Sequence, residues 1–96
     1  MLKLKLAKEA KKDIKAIGRY TQKQWGEAQR RVYIRSLYDR FEWLIENPGL
    51  GKNRSDIHEG YYSYHEGKHQ IFYIIDNEIL TVIGVLHENM DFQQHL

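Results

Sequence analysis

This sequence predicts an α+β fold of the order β-α-α-β-β-β, with a helical hairpin packed on an antiparallel sheet. Three observations carry the prediction. Apolar residues in the first half recur at helical spacing, the period then changes to that of strands, and short polar separators divide the last apolar runs. All 96 residues read as one domain, without internal repeat, linker or low-complexity segment.

The opening MLKLKL alternates lysine with apolar residues. It reads as a strand, because a secretory signal needs an unbroken apolar segment. Ala7, Ala10, Ile14 and Ile17 follow at spacings of 3, 4 and 3, which predicts a helix over about 8–24 with one buried stripe. Its start lacks a Ser, Thr, Asp or Asn cap. Gly26, after Trp25, breaks it, and Ile34, Leu37, Phe41 and Leu44 repeat the spacing in a second, longer helix. Asn47-Pro48 closes that helix, since the residue before proline is pushed out of the α region. Residues 49–60, GLGKNRSDIHEG, predict an exposed loop. Three strand-like runs remain, at about 61–65, 69–75 and 79–87. Glu66-Gly67-Lys68 and Asp76-Asn77-Glu78 between them have the composition of hairpin loops.

Composition excludes several function classes. Without cysteine there is no disulfide, thiolate nucleophile or thiolate metal site, and a reducing cytoplasm is the expected location. The apolar runs IFYII (71–75) and ILTVIGVL (79–86) fall far short of the roughly 20 residues that span a bilayer, so no membrane partner is expected. The net charge of +2 hides a division. Residues 1–54 hold 14 Lys/Arg against 6 Asp/Glu, a net of +8, and residues 55–96 hold 1 against 7, a net of −6. Such asymmetry points the first half at a nucleic acid or an acidic protein.

The last two strands are apolar on both faces. Ile71, Tyr73 and Ile75 are matched by Phe72 and Ile74, while Ile79, Ile83 and Val85 oppose Leu80, Val82 and Leu86. One helical hairpin covers one face. The expectation is that a partner chain or self-association covers the other, the alternative being a cover made by the C-terminal tail.

The order of elements, with YTQKQWG (20–26), FEWLIENPGLGK (41–52), GYYSYHEGKHQIFYIID (60–76) and VIGVLHENMD (82–91) at its joints, resembles the ParE branch of the ParE/RelE toxin superfamily. The members are toxins of bacterial toxin-antitoxin pairs. The resemblance implies a non-enzymatic toxin, without cofactor, that binds and poisons DNA gyrase. It also implies a cognate antitoxin whose C-terminal segment wraps the toxin.

Five groups of residues are candidates for function. A ribosome-dependent nuclease like the RelE relatives would need a base, an acid and cations for the phosphate charge, and Lys52, Arg54, Lys68, His69 and His87 are the groups on offer. The nucleases of the superfamily tend to carry arginines on the last two strands, where this chain has Gln70 and Val85. His87 is therefore read as a rim residue of the sheet, and a nuclease using Lys52, Arg54 and His87 is the alternative. His65 and His69 are four apart, but a turn intervenes and no third metal ligand is implied. The row Lys11, Lys15, Arg19 and Lys23 at i, i+4 spacing is either a solvated face or a docking surface, for an acidic antitoxin segment or for DNA held by gyrase.

Tyr61, Tyr62, Tyr64, Phe72 and Tyr73 are read as core or antitoxin interface rather than a base-stacking platform, with Ile74 beside them. Trp25 and Trp43 are read as packing of the helical hairpin. In the tail HENMDFQQHL, Met90, Asp91 and Phe92 are assigned to the target because the resemblance implies that this region bears on toxicity.

Overall fold

Helical and strand periods appear where the sequence places them in the computed structural model, which describes residues 1–96. The elements are β1 (Lys3–Leu6), α1 (Lys8–Trp25), α2 (Glu27–Glu46), a 3-10 turn (Pro48–Leu50), β2 (Lys52–Asn53), β3 (Tyr62–Glu66), β4 (His69–Asp76), β5 (Ile79–His87) and α3 (Phe92–His95). α1 starts at Ala7 without a side-chain cap, as its sequence implies. Gly26, at φ 93°, ends α1 through its N–H on the Gln22 carbonyl and opens α2 without a side-chain cap.

The expectations for the loop and for the strand directions need correction. The loop over 49–60 is not wholly irregular, because Pro48–Leu50 form a 3-10 turn and Lys52–Asn53 pair with Ser63 and Tyr62 as an edge strand. Tyr73 ties this turn down by donating from its hydroxyl to the Pro48 carbonyl at 2.9 Å. Gly51 fits because a Cβ there would stand 1.9 Å from that hydroxyl oxygen. The sheet is also mixed rather than antiparallel, with order β1-β5-β4-β3-β2 and β1 parallel to β5. Parallel neighbours need a long crossover, and everything between Leu6 and Ile79 supplies it.

A bulge in β5 decides which side chains face the helices. Phe72 pairs with Gly84 but Tyr73 pairs with Val82, which leaves Ile83 as the extra residue. Leu80 and Val82 face the helices before the bulge, and Val85 does so after it. The strict alternation read from sequence, which set Val85 opposite Leu80 and Val82, is corrected by that one residue. The helices bury Ala10, Ile14, Ile17, Leu37, Phe41, Leu44 and Ile45 against Ile71, Tyr73, Leu80, Val82 and Val85.

The opposite face is covered by the chain itself. Phe72 is fully buried there, with the Phe92 ring of α3 edge-on at 4.9 Å and the Arg54 guanidinium 5.4 Å from both rings. Gln93 holds α3 in place by donating to the Asp56 carbonyl at 3.2 Å, and Leu96 lies against Gly84. A partner is therefore not needed to cover Phe72.

Candidate functional site

The sheet keeps His87 apart from the other two groups of the nuclease reading, Lys52 and Arg54. Lys52 lies opposite Ser63 and shares its face, the face on which Arg54 reaches Ser63 and Phe72. Arg54 is further engaged by Asp56, with both guanidinium-to-carboxylate contacts at 3.1 Å. That pairing holds the exposed Asp56 carboxyl below the usual carboxylate range. His87 lies beyond the bulge on the helix side, its ring 5.5 Å from that of His69. His69 in turn shares a 2.5 Å hydrogen bond between Nδ1 and the Tyr33 hydroxyl of α2. Burial, and then the charge of His87, pull His69 down to about pKa 4, so its ring is neutral at pH 7.

His65 belongs to the other face, where Gln70 meets its ring at 2.9 Å. His65 and His69 therefore do not converge, and no cluster of three or more metal-ligating side chains exists. Among the aromatics, Tyr62 and Tyr64 face the helices, Tyr62 stacked on Tyr73 at 5.7 Å and Tyr64 against Trp43 at 5.1 Å. They serve the core, and Ile74 is half-buried. The tail residues divide their roles: Asp91 caps α3 by accepting from the Gln93 N–H, Phe92 covers Phe72, and Met90 remains 37% exposed.

Uncovered apolar surface collects on one flank of α1. β1 ends at Leu6 opposite Val82, so β5 has no strand neighbour on that side beyond the bulge. Asp13 of α1 accepts the Val85 N–H there at 3.0 Å. Burial raises the Asp13 carboxyl, a shift the Val85 N–H opposes. Beside this contact runs a groove of about 940 Å³, floored by Ile17, Thr21 and Val85 and walled by Tyr20, Trp25 and Met90. Trp25 was expected to pack in the hairpin but is 73% exposed, and Tyr20 is 64% exposed. Trp25 and Tyr20 are the two most exposed aromatic side chains, and an open aromatic patch is of the kind that marks a protein interface.

The other flank of α1 is basic. Lys11, Lys15, Arg19 and Lys23 are exposed, and a shallow groove of about 500 Å³ beside them is lined by Ile14, Ile34, Tyr38 and the cations Lys15, Arg30, Arg31 and Arg35.

Sequence reasoning missed Asp13, Tyr33 and the Arg40–Glu66 ion pair, whose 2.8 Å contact joins α2 to β3. Tyr33 had a signal, since it extends the Leu37 and Phe41 stripe by one turn. Asp13 had none, because its partner is a backbone N–H 72 residues away.

The α+β scaffold has known counterparts. A chain of the chromosomal ParDE TA system from P. aeruginosa superposes with a TM-score of 0.78 at 13% identity, over 91% of this chain and 96% of that one. The YoeB dimer structure from Staphylococcus aureus gives 0.64 at 17% identity, over 91% and 97%. These likenesses establish the fold class, that of the RelE/ParE toxins. The family model of the ParE toxin of the type II toxin-antitoxin system, parDE, matches residues 4–92. Toxin ParE1 of Caulobacter vibrioides is 33% identical over 92 residues, 96% of this chain and 95% of the relative. Toxin ParE of Escherichia coli is also 33% identical, over 95% and 89%. The chain belongs to the ParE toxin family of type II toxin-antitoxin systems.

Proposed function

We propose that this chain is a toxin that acts by binding DNA gyrase and trapping cleaved DNA, in the cytoplasm, and that a cognate antitoxin neutralises it by filling the groove between α1 and β5. The observation that carries the binding mechanism is the sheet standing between Arg54 and His87. Arg54 is committed to Asp56, Phe72 and Phe92, and His69, beside His87, is neutral at pH 7. A phosphoryl transition state needs a base, an acid and cations around one point; Lys68, His69 and His87 line the groove together, but Lys68 is its single Lys or Arg, and Lys52 and Arg54 lie across the sheet.

The antitoxin seat is supported by Tyr20, Trp25 and Met90, three open apolar side chains around one concavity. It differs from the sequence expectation, which set the antitoxin on Tyr62, Tyr64, Phe72 and Ile74, wholly or partly buried here, and on Lys11, Lys15 and Arg19, which are exposed outside this groove. An apolar strand or helix of the antitoxin, anchored by two or three side chains, is the occupant such a groove takes.

The test is a supercoiling assay with purified gyrase and plasmid. Loss of supercoiling with trapped double-strand breaks is the expected result. No effect on gyrase, together with cut mRNA in a translating extract, would replace this reading with the endoribonuclease that the shared fold of the YoeB structure allows.

A further inference from the structure

The two flanks of α1 differ in chemistry, and the basic one has no role in the reading above. Lys11, Lys15, Arg19 and Lys23 form one row with no carboxylate within ion-pair distance of any of them. Lys12, Arg31, Arg35, Arg40 and Arg54 all have such partners. Neighbouring like charges at i, i+4 disfavour a helix, so the row costs stability and is left unneutralised. Arg30, Arg31 and Arg35 of α2 continue the positive surface across the hairpin. Arg30 lies over Gly18, where a Cβ would come 3.0 Å from its Nε, and Gln22 holds its guanidinium at 2.5 Å.

We infer that this face of the helical hairpin binds the phosphate backbone of duplex DNA directly, without gyrase. The match is one of charge and length. α1 is 18 residues long, about 27 Å at helical rise, and duplex DNA presents a negative charge for roughly every 1.7 Å of its axis. The row is exposed along its length and turns by about 40° at each i, i+4 step, as 3.6 residues per turn require, and its dominant feature is charge, which suits a polyanion read by charge alone. An acidic protein segment would need apolar anchors as well, and the most exposed aromatics, Tyr20 at 64% and Trp25 at 73%, line the other groove, against 39% for Tyr38 beside the cations. The inference does not depend on the target proposed above.

The experiment is fluorescence anisotropy of a labelled duplex about 20 base pairs long, of arbitrary sequence, titrated with the full chain from about 50 to 200 mM salt. Expected is binding whose logarithm falls against the logarithm of salt with a slope of about −4 to −6. The combined variant Lys11→Gln, Lys15→Gln, Arg19→Gln should reduce the steepness by about 3 and weaken binding roughly 500-fold near 0.1 M salt. Circular dichroism checks its fold, which removing exposed like charges should not harm. A control with Lys3→Gln, Lys5→Gln and Lys52→Gln loses the same charge from exposed strand positions and should bind within a few fold of the original. No duplex binding at the lowest salt overturns the inference, as does equal loss in the control. Displacement of the duplex by an equal concentration of a polyglutamate peptide also overturns it, in favour of an acidic protein partner.

Discussion

Truncating Phe92 tests whether the chain's own tail covers the second face of the sheet. Phe72 is completely buried although it faces away from the helices, and only Phe92 and Arg54 stack on its ring. Full burial of a phenylalanine contributes about 1.5–3 kcal/mol, so the half-buried Phe92 accounts for roughly 1 kcal/mol. The edge-to-face contact adds about 0.5–1.5 kcal/mol. Phe92→Ala should therefore cost about 2 kcal/mol, which at a urea slope of about 1–3 kcal/mol per M lowers the unfolding midpoint by roughly 1 M. The variant should also bind more of an apolar dye than the original holds in its open groove beside α1, because Phe72 becomes accessible. A cycle with Phe72→Leu isolates the pair and should return a coupling of about 1 kcal/mol. A midpoint unchanged within about 0.2 M and no increase in dye binding would refute the account of the tail and return the cover of this face to a partner.

The pH dependence of stability should carry the signature of His69. Its folded pKa of about 4 lies below the unfolded value of 6.5, so its contribution is present above pH 6.5 and lost as the pH falls towards 4. Solvent reaches much of the ring, which reduces the loss to about 1–2 kcal/mol. Urea midpoints of His69→Gln should fall less steeply over that window than those of the original, and parallel curves would refute the assignment. Asp13→Ala should cost about 1–2 kcal/mol by orphaning the Val85 N–H, read as faster hydrogen exchange at Val85. Asp13→Asn keeps the acceptor. Because burial raises the Asp13 pKa, the charge costs stability as the pH rises through that value, so the Asn variant should gain on the original between pH 4 and pH 7.

Most of the elements were legible because their causes are local. Ala10, Ile14 and Ile17 repeat on one helix face, Gly26 supplies the positive φ between the helices, and Asn77 and Glu78, both at positive φ, make the tight β4–β5 turn. The candidate site was less legible. The basic row could be read directly, since spacing alone puts its members on one side of α1. The apolar groove could not, because Tyr20 and Trp25 become neighbours of Met90 only after β5 is laid against α1.

By itself the sequence determined the order of β1, the two long helices and β3 to β5, most of their limits to within a residue or two, and the charge division between the two halves, but neither β2 nor α3. The tertiary structure decided how the faces are used. A one-residue bulge at Ile83 reverses the parity of β5 and turns Val85 towards the helices, because side chains alternate with a period of two and a single insertion inverts everything beyond it. It also brought β1 parallel to β5 and folded the tail over Phe72. These contacts join residues far apart in the chain, and no local period encodes which distant surface a side chain will meet.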